Sequence, residues 1–183
     1  SATPPQALAA DPGLAAVARA GIEGAEVQDV VLGSALQQGH QAGNIARQAA
    51  IRAGLPVSVA GMSLDRQCAS GMMAIAAASK QVVQDKVDIV VGGGVESVSM
   101  VQTPEMRAHA DPWLTAHKPE IYMTMLETAE TVAARYAISR EAQDLCAVQS
   151  QTRTAAAQEA GRFDDEIAPL TTTMKFKDRE TKA

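Results

Sequence analysis

The chain has 183 residues and a net charge of −5, from 16 Lys and Arg against 21 Asp and Glu. That balance argues against a broad nucleic-acid surface, which needs a clustered excess of Lys and Arg, and no apolar run approaches the roughly 20 residues of a membrane span. With 46% hydrophobic but only 3% aromatic residues, a core has to be packed from Ala, Val, Ile, Leu and Met.

Residues Ser1–Pro12 hold three prolines and read as a loop. Leu14–Ala20 follows as a short helix stopped near Gly21. Val27–Leu36 reads as a strand around Asp29-Val-Val-Leu-Gly33, and Gln37–Gly43 as a polar, glycine-containing loop. Asn44 is a suitable N-cap for a helix over Ile45–Ala53, which Gly54 and Leu55-Pro56 end. Val57–Leu64 is a second strand, with Asp65–Gln67 as its connection to a long Ala-rich helix from Cys68 to about Gln84. Lys80 is the only charge in that helix, so burial on nearly all sides is expected. Val87–Val91 is a third strand, and its unbroken apolar run suits one covered on both faces. Strand, helix, strand, helix, strand is the pattern of an α/β fold with a parallel sheet.

After Met100 the character changes. Val101–Pro119 carries three prolines, two histidines and Trp113, the single tryptophan. Two helices are predicted beyond it, Thr124–Tyr136 and Arg140–Ala160. Ser139 caps the second, Glu141 sits in its first turn and Gly161 closes it. Arg162–Ala183 reads as extended and polar, with Lys175–Arg179 as a solvated loop. The resulting division is an α/β domain over residues 1–100 and a loop-rich domain from 101 to 183.

Cys68 and Cys146 are far apart and make no disulfide framework. A reducing, intracellular and cytoplasmic setting follows from that usage. The cysteines and the three histidines show no zinc-ligand spacing, so no metal is expected. The chain begins at Ser1, which leaves a removed targeting segment open.

Cys68 falls where a strand ends and a helix begins. Unpaired N–H groups and the helix dipole make that place electropositive, which favours a thiolate and a stronger nucleophile. Arg66 adds positive charge nearby, and Ala69, Ser70 and Gly71 are small enough to let a substrate approach. The alternative is a Cys that serves as a small buried hydrophobe. Cys146, inside an amphipathic helix beside Leu145, reads as core packing. His40, His109 and His117 read as surface or loop residues. The Gly92–Gly94 run has Ser97 where a phosphate-binding G-x-G-x-x-G turn needs glycine at its sixth position. Close packing of backbone against the Cys68 helix is the better reading.

The segment Asp65-Arg-Gln-Cys-Ala-Ser-Gly-Met-Met-Ala-Ile75 resembles the nucleophile segment of thiolases. Four further stretches agree in order. These are Val31-Leu-Gly33 with Gly43-Asn-Ile-Ala-Arg-Gln-Ala49, then Gly92-Gly-Gly-Val-Glu-Ser-Val-Ser-Met100, then Glu127-Thr-Ala-Glu-Thr-Val-Ala133, and Ile138-Ser-Arg-Glu-Ala-Gln-Asp144 with Ala157-Gln-Glu-Ala-Gly-Arg-Phe163. The resemblance covers about Val27 to Ile167. It implies a thiolase-like fold in which these residues form the N-terminal half, without its first strand, and the start of an inserted helical loop domain.

The resemblance also implies an acyl-CoA C-acyltransferase that forms or cleaves 3-ketoacyl-CoA. Cys68 would be the nucleophile, with its own backbone N–H in an oxyanion hole. Met125 would line the pocket near the acyl group. Coenzyme A thioesters are the expected substrates and no cofactor is expected to be covalently bound. A homodimer or homotetramer is expected, with neither nucleic acid nor membrane as partner. The family's Gly-His-Pro histidine, its Cys-x-Gly-Gly cysteine and its water-holding Asn have no match here, so these residues alone are expected not to turn over. Thr124-Met-Leu-Glu127 departs from the usual His-Met-Gly before Thr-Ala-Glu, which leaves acyl length open. A ketoacyl-carrier-protein synthase-like condensing enzyme and a non-catalytic truncated homologue are the alternatives.

Overall fold

The computed structural model describes residues 3–106 and 109–173. The stretch Lys175–Arg179 read as a solvated loop lies outside the described residues. The chain divides into two compact units, Ser1–Arg107 with Ala168–Ala183, and Ala108–Ile167.

The first unit is built on a parallel three-stranded sheet of order β2-β1-β3, with β1 at Asp29–Gly33, β2 at Ala60–Leu64 and β3 at Val90–Gly94. Asp29 pairs with Ala60 on one side and Val90 on the other, and Gly33 with Leu64 and Gly94. The strands therefore end level. Alternation along β1 divides the core in two. Val30 and Leu32 join Val17, Ala46, Ala49, Ala50, Leu55 and Val59 on one face. Val31 meets Ala74 and Ala78 on the other. Helices α1 (Pro5–Ala20) and α2 (Ile45–Arg52) cover the first face, and α3 (Ser70–Lys80) covers the second. A one-turn helix, α4 (Val98–Val101), follows β3.

The proline-rich start is helical rather than a loop. Pro5 stands in the first turn of α1, where a missing N–H costs nothing. Pro12 lies inside the helix but on its exposed side, while Ala7, Ala10 and Val17 are buried. Tertiary burial of that apolar side outweighs a local breaker. Gly21 ends the helix in the left-handed conformation, φ 67°.

Two expectations about α3 are corrected. It begins at Ser70 rather than Cys68, and a π turn at Gln81–Asp85 ends it. It is covered on one side only: Met72 is 78% exposed and Val83 66%. Its apolar composition reports one buried face against the sheet and a second that is largely exposed. The third strand is likewise shifted, to Val90–Gly94; Val91 packs against the first core and Val90 against the second, as expected of a strand covered on both faces, and both are only half-buried at this edge of the sheet.

The second unit holds α5 (Pro112–His117), α6 (Met125–Arg135) and α7 (Arg140–Glu159). Each is capped by its own sequence. The Asp111 carboxylate accepts from the Leu114 N–H, the Thr124 hydroxyl from the Glu127 N–H and the Ser139 hydroxyl from the Ala142 N–H. The Glu127 carboxylate accepts in return from the Thr124 N–H, which completes a capping box. These bonds hold its carboxyl below the usual carboxylate range, the Thr124 backbone contributing most and the Thr124 hydroxyl next. Arg140 and Asp144 form an exposed ion pair at 2.8 Å, a geometry that adds little stability. None of these helices has a buried residue. Cys146 is therefore exposed, contrary to the core role expected of it.

Candidate active site

The site forms where the sheet ends. In parallel α/β sheets, the carboxyl ends of the strands and the starts of the following helices open onto one side, and ligands bind there. A cleft of about 540 Å³ occupies this position, between the ends of β1 and β3 and the turn that carries Cys68. Gly33, Ala35 and Leu36 line it from the end of β1 and the loop after it, Gly94, Val95, Glu96 and Val98 from the end of β3 and the segment leading into α4, and Gln67, Cys68, Ser70 and Gly71 from the turn and the start of α3.

The turn after β2 is tightly tied. The Asp65 carboxylate accepts from the Gln67 N–H at 2.7 Å. The Ser70 hydroxyl accepts from the Arg66 N–H at 2.9 Å and donates to the Gln67 carbonyl at 2.5 Å. Gln67 is held at φ 50°, a left-handed conformation that is uncommon for a residue with a side chain. Such strain persists only where the surroundings over-determine it. The effect is to present the next residue, Cys68, at the surface: it is exposed and free of any disulfide. The buried-hydrophobe alternative for Cys68 therefore falls away. Cys68 stands two residues before the first residue of α3, so it faces the helix mouth from outside rather than from within its first turn.

Glycine lets the helix mouth approach the strands. A Cβ on Gly33 would lie 2.1 Å from the Ser70 carbonyl carbon, and one on Gly94 would lie 3.1 Å from the Gly71 Cα. One on Gly92 would meet the Ala78 Cβ at 3.1 Å. The glycine run thus packs backbone against the helix that Cys68 precedes, as the sequence suggested.

The remaining candidates each have local surroundings of their own. The Arg66 guanidinium donates toward the Met73 sulfur at 3.7 Å. Met125 is the first residue of α6 in the second unit and is 75% exposed. His40, His109 and His117 are exposed, and His117 stacks on Trp113 with ring centroids 4.3 Å apart. Among the described residues no three His, Cys, Asp or Glu side chains gather as a metal site, and no helix is long and apolar enough to cross a membrane.

Sequence reasoning passed over Gln41 and Glu96. Gln41 falls in the segment whose composition reads as a polar loop, yet it is fully buried. The signal available was negative: a loop leaving a buried strand has to satisfy its own backbone groups, and an amide side chain there is a ready partner.

Comparison with known proteins agrees with this arrangement. Residues 1–182 match the family model described as thiolase, N-terminal domain. The 3-ketoacyl-CoA thiolase of Bacillus subtilis is 37% identical over 156 residues, 85% of this chain and 40% of that protein. The acetyl-CoA acetyltransferase of Cupriavidus necator is 38% identical over 170 residues, 85% of this chain and 42% of that protein. The crystal structure of the Bacillus anthracis acetyl-CoA acetyltransferase superposes with a TM-score of 0.78 at 38% identity, covering 94% of this chain and 46% of that one. The chain thus spans less than half the length of these relatives, and over that span it belongs to the thiolase family, as an N-terminal domain.

Proposed function

We propose that the full-length protein is an acyl-CoA C-acyltransferase of the thiolase type, with Cys68 as nucleophile. The Cys68 sulfur attacks the carbonyl carbon of an acyl-CoA thioester. The carbon–sulfur bond to coenzyme A then breaks, leaving an acyl-cysteine, and the thiol proton leaves with coenzyme A. A general base then removes the α-proton of a second acyl-CoA, the α-carbon attacks the acyl-cysteine carbonyl, and the carbon–sulfur bond to Cys68 breaks, giving 3-ketoacyl-CoA while the proton returns to the Cys68 sulfur. The reverse sequence cleaves it. The Cys68 N–H stabilises the oxyanion of each acyl transfer. Met125 lines the acyl pocket. The working form is a homodimer or homotetramer in the cytoplasm.

The observation that carries the proposal is the exposure of Cys68 in a cleft at the strand ends, presented by a strained Gln67. The names of the similar proteins support coenzyme A thioesters as the substrate class.

The test is intact mass spectrometry of the full-length protein after incubation with acetyl-CoA. One acetyl adduct, mapped to Cys68 and absent from Cys68→Ala, is expected. An adduct elsewhere, or none, would overturn the assignment.

A further inference from the structure

Gln41 has no exposed surface although it lies in a polar loop. A primary amide is buried only where its donors and acceptor are met, and here all are. Its Nε2 has two hydrogens for three acceptors in reach, the Ser34 hydroxyl at 3.0 Å, the Leu36 carbonyl at 2.9 Å and the Glu96 carboxylate, so one hydrogen is shared. Its Oε1 accepts from the Ser97 N–H at 2.5 Å. The second oxygen of Glu96 accepts from the Ala35 N–H at 2.7 Å.

These bonds begin where the sheet stops. The last ladder-like contacts run from the Val95 N–H to the Gly33 carbonyl and from the Ser34 N–H to the Leu64 carbonyl, each at 3.0 Å. Beyond them the exits of β1 and β3 have no strand pairing. Gln41 and Glu96 replace it with a side-chain clamp joining residues 34–36 to residues 96–97. Ala35, Leu36 and Glu96 are also the cleft wall that shares the cavity with Cys68, whereas Gln41 stands behind that wall and does not line it.

We propose that Gln41 is a positioning residue for acyl transfer, setting the wall of the acyl pocket relative to Cys68 through the Glu96 carboxylate. The inference rests on the reading of Cys68 as acyl acceptor. Its physical basis is that reaction within a bound complex is sensitive to displacements of about 1 Å. A fully satisfied buried polar network is one way to hold a loop to that tolerance.

The experiment compares two reactions of Cys68 in the full-length protein: acetylation at saturating acetyl-CoA and alkylation by iodoacetamide. Alkylation by so small a reagent needs an accessible sulfur but no shaped pocket. In Gln41→Met the acetylation rate is expected to fall about tenfold or more, the scale of a sub-ångström to ångström misplacement, while alkylation stays within about twofold. Ser34→Ala, which removes one acceptor of the Gln41 amide and lies outside the cleft lining, is expected to show a smaller split in the same direction if Gln41→Met does not fold. Unchanged acetylation, or acetylation and alkylation falling together, would overturn the positioning role. An unaltered protein that is not acetylated at all would instead sink the Cys68 reading itself, and this inference with it.

Discussion

Gly33 at the end of β1 touches Ser70 at the start of α3 so closely that no side chain fits between them. A methyl group on Gly33 would stand 2.1 Å from the Ser70 carbonyl carbon and 2.2 Å from its oxygen. Both obstructing atoms are backbone, so neither swings aside. The contact fixes the height of the helix mouth above the sheet, and with it the depth of the cleft beside Cys68.

Gly33→Ala is therefore expected to destabilise the protein by about 3 kcal/mol or more, at the upper end of overpacking costs. Gly13→Ala is the internal control. Gly13 lies inside α1, and a Cβ added to it would meet nothing within 4 Å. Ala is favoured over Gly in a helix interior by about 0.8–1.0 kcal/mol. Urea denaturation of both variants should move their midpoints in opposite directions.

Both cysteines are exposed, so access does not distinguish them and chemical environment must. Only Cys68 faces a helix mouth within a cleft. Cys68→Ala is expected to abolish acyl transfer from acetyl-CoA, and Cys146→Ala to leave it within about twofold, since removal of an exposed side chain away from a site changes little. Initial rates of coenzyme A release, followed with a thiol reagent, separate the two.

Asn44 does more than cap α2. It adopts a left-handed φ of 63°, accepts from the Arg47 N–H and donates to the Gly61 carbonyl at 2.8 Å. Asn44→Ala loses the cap and must hold a conformation that Ala disfavours. A loss of about 1–2 kcal/mol is expected from the cap, with backbone strain added to it. Asn44→Gly keeps the conformation and should recover part of the loss in thermal unfolding.

The cap of α6 depends on pH. The charged form of Glu127 is favoured in the folded helix by hydrogen bonds from the Thr124 backbone and hydroxyl. Its contribution is present above the ordinary carboxylate value and is lost as pH falls through the lowered one. Titration of Glu127 by NMR should report a midpoint below that of an unstructured Glu. Thr124→Ala should return it toward the ordinary value and cost about 1 kcal/mol in helix stability.

Much of the local structure was legible in the residues. Asn44 and Ser139 as caps, Gly54 and Gly161 as helix ends, and the strand–helix alternation that implies a parallel sheet all act through neighbours within a few positions, so the sequence itself carries the information. The Cys68 segment was legible for the same reason, since strand, turn and helix are contiguous. What the tertiary structure alone decided is which surfaces meet. Pro12 lies inside a helix because a distant core holds the other side of α1. Met72, Val83 and Cys146 are exposed because no described element covers them. Gln41 is buried because it reaches Glu96, 55 residues away, and the worth of such a contact depends on the whole chain having first brought the two loops together.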